Sequence, residues 1–263
     1  MMPAMPAIFV SHGAPTLPLH SSPARDFLAQ LGQFLPTPKA ILCISAHWET
    51  EEPQISTASS QKTIHDFYGF PEELYRWQYP VAGDAELSDR VKSLLNEKEY
   101  KAEIKGNRGL DHGVWVPLAL AYPDANIPTI QLSLQSQQDP HYHFNLGRAL
   151  APLREENILI LASGSATHNL REWAGNAIDA EPPDWVKQFS NWLNDAVANN
   201  QWEELLNYRD RAPHALHNHP TAEHFLPIFV AMGASGEKAK GKILHSSFTY
   251  GVLSMAAFSM NDR

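Results

Sequence analysis

Short runs of unbroken apolar residues alternate along the chain with longer stretches whose apolar positions recur every three or four residues. The first pattern suits strands covered on both faces, the second helices with one buried stripe. Residues 6–10, 40–46, 127–134 and 157–162 are expected strands, and 55–58 a shorter one. Helical spacing covers 24–35, which Pro36 and Pro38 close, then 84–97, 113–122 and 141–155. Residues 183–198 and 202–208 are further expected helices, and Thr221 is expected to cap another that runs to about Met232. Residues 242–248 and 252–259 are expected to pair antiparallel at a sheet edge. Alternating strands and helices predict an α/β fold. We expect a single three-layer domain over residues 1–263, with a central mixed, mostly parallel sheet flanked by helices. Repeats, low-complexity tracts and linkers are absent from the sequence.

One segment fits neither pattern. Between Ile64 and Tyr79 lie Phe67, Tyr68, Phe70, Tyr75 and Trp77, interrupted by Gly69 and Pro71. It reads as a long ordered loop, able to wall or cover a pocket or to pack over a secondary cluster.

Composition narrows the function classes. A formal charge of −9 and no basic stripe argue against nucleic acid, which needs clustered Lys and Arg. Lys238, Lys240 and Lys242 read as a solvated turn. No window of about 18 apolar residues exists to span a membrane, and Met1-Met2-Pro3-Ala4-Met5-Pro6 has no signal-peptide pattern. The one cysteine, Cys43, lies in an apolar strand and reads as a buried core residue. It excludes an internal disulfide and thiolate-rich zinc sites, so any metal must rest on nitrogen and oxygen. The expected compartment is the cytoplasm.

Five histidines stand at strand exits or helix starts: His12, His47, His112, His168 and His224. In an open α/β sheet, sites form beyond the carboxyl ends of strands. His12, His47 and His168 each follow such an end, so unlinked segments deliver imidazoles to one edge. His224 is placed in the first turn of its expected helix, where the dipole would keep the ring neutral and able to bind metal. Glu223 could instead be the anionic ligand; neighbours on a helix point about 100° apart, so one ion would not take both. His112 suits proton carriage or a supporting contact better than ligation. His65 and Asp66 in the aromatic loop are candidates for touching a ligand. His214, His217 and His219 resemble a metal tract but read more simply as loop polarity. His20, His141, His143 and His245 carry weaker cases still. Nitrogen and oxygen donors with open positions suit zinc or ferrous iron.

These stretches resemble the class III extradiol ring-cleavage dioxygenases, in the branch of the 4,5-DOPA extradiol dioxygenase-like proteins. The resemblance rests on Phe9-Val10-Ser11-His12-Gly13-Ala14-Pro15, Ser45-Ala46-His47-Trp48 and 63–71. It continues in Leu110-Asp111-His112-Gly113-Val114-Trp115, Leu161-Ala162-Ser163-Gly164, His168-Asn169-Leu170 and 221–227, in the family's order over nearly the whole chain. It implies a mononuclear non-haem iron enzyme that opens catechol rings beside the diol with dioxygen. By resemblance His12, His47 and His224 are metal ligands. His168 is the acid–base catalyst, or an added ligand without substrate, and His112 a second catalytic histidine. Class III enzymes in general complete the site with a glutamate, so Glu223 beside His224 stays an alternative. Fe(II) is expected for activity; Zn(II) suits the same donors in purified or crystallised protein but supplies no redox chemistry. The expected partners are a small aromatic diol and dioxygen, with Phe70, Tyr75 and Trp115 as flat walls. The alternatives are a zinc hydrolase and a non-catalytic catechol- or metal-binding protein on the same scaffold.

Overall fold

The computed structural model describes residues 4–236 and 239–261; Met1-Met2-Pro3 and Lys238, read above, lie outside them. The strands in chain order are β1 (Ala7–Ser11), β2 (Ala40–Glu49), β3 (Gln54–Ser56), β4 (Glu103–Lys105) and β5 (Thr129–Leu134). There follow β6 (Ile158–Gly164), β7 (Lys240–His245), β8 (Phe248–Thr249), β9 (Leu253–Ser254) and β10 (Ala257–Asn261). Eight of them form one sheet in the order β4-β3-β5-β2-β6-β1-β10-β7, while β8 and β9 make a separate hairpin. The four central strands, β5, β2, β6 and β1, run parallel. The expected antiparallel pair at one edge is β10 with β7.

Period-2 alternation sorts the strand side chains between two cores. Phe9, Leu42, Ile44, Ile130, Leu132, Ile158 and Ile160 face helices Ala85–Asn96, Pro140–Leu150, Asp184–Ala198 and Pro227–Ser235. Ile8, Val10, Ile41, Cys43, Leu159 and Leu161 face helices Pro23–Phe34 and His112–Ala121. Sheet and helices therefore form the three layers. Cys43 is buried on the second face, and that burial pushes its thiol well up, as suits a core residue.

Several boundaries differ from expectation. The helix expected over 141–155 breaks into Pro140–Leu150 and Pro152–Glu155, because Pro152 has no N–H to continue the ladder. Strand β4, three residues with an exposed Glu103, carries too little pattern to read. The expected helix at Thr221 begins only at Pro227. The His224 carbonyl accepts the Ser165 N–H at 2.8 Å, so it is spent outside any helical ladder. The Thr221 hydroxyl bonds the Glu223 carboxylate at 3.0 Å and does not cap a helix. Among the described residues no helix is long and apolar enough to cross a membrane.

Candidate metal centre and active site

The face of the sheet that carries Ile8 and Val10, Ile41 and Cys43, and Leu159 and Leu161 turns polar where each strand ends. At successive two-residue steps further along that face stand His12, then Ser45 and His47, then Ser163. Strand β6 lies between β2 and β1, so His12 and His47 flank its carboxyl end. The bond from Ser165 N–H to the His224 carbonyl brings His224 over the same end. Gly164 allows that approach, since a Cβ there would collide with the His224 carbonyl oxygen. Gly113 does the same for the start of helix His112–Ala121, where a Cβ would strike the Ser45 hydroxyl and crowd the His47 ring.

All five histidines converge. The His12 and His47 rings are 4.9 Å apart between centroids, His47 and His224 4.8 Å, and His47 and His112 4.0 Å. His168 lies cofacial with His224 at 3.4 Å and 9°. The His47 Nε2 is 3.1 Å from the Nε2 of His12 and 3.3 Å from that of His224.

Hydrogen-bond partners assign the tautomers. The His224 Nδ1 lies 2.8 Å from the Glu223 carboxylate, which can only accept, so Nδ1 carries the proton. His47 Nδ1 faces the Asp66 carboxylate at 3.5 Å. His12 Nδ1 lies 3.0 Å from the Ser163 hydroxyl. That hydroxyl donates its own hydrogen to the Gly113 carbonyl, so it accepts from His12. The Gly113 carbonyl is free for this because Pro117, four residues on inside the helix, has no N–H to bond it. The Nε2 atoms of His12 and His224 therefore present lone pairs toward His47, and His47, with its Nδ1 facing Asp66, presents its own toward both.

Three lone pairs this close repel unless a cation lies among them. Two nitrogens bound to one ion at about 2.1 Å, at angles of 90–109°, stand about 3.0–3.4 Å apart. The donor set therefore fits a divalent metal. Glu223 stands behind His224 and Asp66 behind His47, where a carboxylate orients a ring.

Electrostatics keep the donors neutral. Burial, then neighbouring imidazoles led by His47, hold His12 well below the usual histidine range. Burial and then His168 do the same for His224, which stands three residues ahead of its helix, so the expected dipole effect is replaced by desolvation. Burial lowers His47 to about 3 and His168 to about 4. Burial pushes the Asp66 carboxyl up, but its bonds to His112 and the nearby His47 outweigh this and hold it at about 2.

The centre opens into a cleft of about 660 Å³, its mouth included, which His12, His47, His112, His168 and His224 share with Phe67, Phe70, Leu170, Trp173 and Leu253. Phe70 and Trp173 stack with centroids 6.5 Å apart. The aromatic loop does form a wall, through Phe67 and Phe70, and its residues Glu72–Arg76 are a short helix. The other two expected walls sit behind it. Tyr75 packs on Phe67 at 5.2 Å, and Trp115 is fully buried with its indole N–H on the Ile64 carbonyl.

Sequence reading left some supports unfound. Asp111, next to His112 in sequence, does not bond its ring. The partner is Asp66, whose Oδ1 lies 2.9 Å from His112 Nδ1 and 3.0 Å from its backbone nitrogen. Asp111 instead accepts from Ser45, Gln131 and Arg108. Ser163 was legible in principle, being a polar residue on the buried face of an apolar strand. Trp173 and Leu253 carried no signal.

The family profile described as the catalytic LigB subunit of aromatic ring-opening dioxygenase matches residues 2–259. A 4,5-DOPA dioxygenase extradiol of Beta vulgaris is 43% identical over 258 residues, covering 97% of this chain and 96% of the relative. One from Escherichia coli K12 is 40% identical, covering 88% and 85%. A crystal structure of an uncharacterized Escherichia coli K12 protein superposes with a TM-score of 0.80 at 32% identity, covering 98% of this chain and 100% of the other. With its strand-end histidines gathered beneath an aromatic-walled cleft, the chain belongs to the LigB family of metal-dependent aromatic ring-opening dioxygenases.

Proposed function

We propose that the protein opens the ring of a catechol of the DOPA type beside its diol, using dioxygen at an iron held by His12, His47 and His224. The observation that carries this is the convergence of three Nε2 lone pairs, 3.1 and 3.3 Å apart, at the floor of an aromatic cleft. Relatives named 4,5-DOPA dioxygenase extradiol support the substrate class. Fe(II) there would acidify the diol and supply the redox chemistry that dioxygen requires, which Zn(II) in the same donors would not.

The chain's own groups divide the remaining work. His168 is neutral at physiological pH and lines the cleft, so it can take a diol proton as general base. Its ring is cofacial with His224, and in-plane lone pairs on parallel rings do not meet at one point. We therefore assign it proton transfer in preference to ligation. Once charged, it returns the proton as the ring opens. His112, its Nδ1–H held by Asp66, presents Nε2 to the substrate side. Phe67, Phe70 and Trp173 exclude water and hold the flat ring. The partners are a small aromatic diol and dioxygen. A single buried thiol suits a reducing compartment, and we propose the cytoplasm.

The test loads the protein with Fe(II) without oxygen and offers a panel of catechols. Oxygen uptake and a yellow ring-fission product are expected; no turnover with any catechol overturns the reading.

A further inference from the structure

A carboxylate from outside the sheet reaches two of these histidines at once. Asp66 belongs to the aromatic loop, next to Phe67 of the cleft wall. Its two oxygens point to different histidines. Oδ1 accepts both the Nδ1–H of His112, at 2.9 Å, and the backbone N–H of His112, at 3.0 Å. Oδ2 faces Nδ1 of His47 at 3.5 Å. The carboxylate is only partly buried, and the loop around it is held by bonds of its own. Among these, Ile64 N–H donates to the Leu110 carbonyl at 2.8 Å, and the Trp115 indole N–H donates to the Ile64 carbonyl at 3.0 Å.

We propose that Asp66 is a positioning residue that fixes the ring tautomers of His47 and His112 together, tying the seat of the aromatic wall to metal affinity. The inference rests on the reading of His47 as a metal ligand. A ring whose Nδ1–H points at a carboxylate must offer its Nε2 lone pair elsewhere. Asp66 therefore aims His47 Nε2 toward His12 and His224, and His112 Nε2 toward the substrate side. The chemistry differs between the two ends of the side chain, and this makes the idea testable. In Asp66→Asn the amide oxygen can still take both N–H groups of His112. The amide NH₂ then faces His47 Nδ1, donor against donor. His47 is driven to carry its proton on Nε2, where it has no lone pair for a metal.

The experiment uses the full chain, with Zn(II) as a redox-silent probe. Zinc affinity is measured by competition with a chelator, and histidine tautomers by ¹⁵N NMR. In the zinc-loaded wild type, both His47 and His112 are expected protonated at Nδ1. Asp66→Asn is expected to bind zinc 10–100-fold more weakly, with His47 shifted to the Nε2–H form and His112 unchanged. A Tyr68→Ala control, at an exposed position of the same loop, is expected to keep zinc affinity within about twofold. Zinc affinity and His47 tautomer both unchanged in Asp66→Asn overturn the proposal. If that variant does not fold, the wild-type tautomers decide: an Nε2–H on His47 or His112 overturns it. A wild type that takes up no zinc sinks the metal reading separately. The tautomers of the metal-free wild type then judge Asp66 by the same criterion.

Discussion

Two groups of three histidines in this protein teach opposite lessons. His214, His217 and His219 lie within six residues of sequence, yet their rings go three ways. His214 bonds the Gln188 side chain at 3.0 Å, and His217 stacks on Trp185 at 3.9 Å. His219 is buried with its Nε2 on the Ala166 carbonyl at 3.0 Å. The four residues between His214 and His219 are the short helix Ala215–Asn218, which includes His217 and turns successive side chains about 100° apart. His12, His47 and His224 are spread over most of the chain, yet their Nε2 atoms meet. Parallel strands on either side of β6 bring His12 and His47 to one end of the sheet, and each ring is braced from behind by a hydroxyl or a carboxylate. Density of histidines in sequence is a weaker sign of a metal site than strand ends that share an edge.

Removing a converging ring is the most severe test of that contrast. His47→Ala or His224→Ala should abolish stoichiometric metal binding and lower oxygen uptake by about 10³-fold or more; near-wild-type turnover in either would break the comparison. His168→Gln should keep its metal while kcat falls about 10²–10⁴-fold, because it loses a proton carrier and not a ligand. A parallel loss of metal content would return His168 to the ligand set. Glu223→Ala, which leaves His224 Nδ1 without its acceptor, should weaken metal binding about 10–100-fold in a chelator competition.

The dense tract should matter through stability alone. Burial holds His219 at about 3, although its bond to the Ala166 carbonyl opposes this. A folded pKa below the unfolded value of about 6.5 means that the unfolded chain binds more protons as pH falls. Stability present above pH 6.5 is then lost through the window from 6.5 toward 3. His219 should contribute about 2 kcal/mol of that loss by pH 5. Denaturant melts of His219→Phe should show a shallower acid limb; an unchanged limb would mean that this ring is not the sensor. At the small end, His214→Ala and His217→Ala should change stability by no more than about 0.5 kcal/mol each, and leave metal content alone. A metal loss in either would sharpen attention on the tract again.

The residues themselves show why part of the site was legible and part was not. Ile8 and Val10 predict a strand, and the same alternation carried two positions on predicts the side that His12 takes. The run from Ala40 to Ala46 does this for His47, although β2 continues to Glu49, where polar residues hide the strand pattern. The ends of the helix Asp184–Ala198 were readable from its stripe, while β4 and the break at Pro152 fell between patterns. His224 is singled out as standing in the first turn of an expected helix, yet that helix starts only at Pro227. Nothing near Thr221 tells that the His224 carbonyl bonds Ser165, 59 positions back along the chain. The pairing of Asp66 with His112 across 46 residues is invisible for the same reason.

The sequence by itself determined the layered α/β architecture and singled out the five histidines that converge, because strand and helix periods are local and most of these imidazoles sit at a readable boundary. Only the tertiary structure decided which nitrogen of each ring faces the centre, which carboxylates stand behind them and which aromatics line the cleft. Those outcomes depend on hydrogen bonds and contacts between segments distant in sequence. Such bonds form only once β6 lies between β2 and β1 and the aromatic loop has closed over their ends.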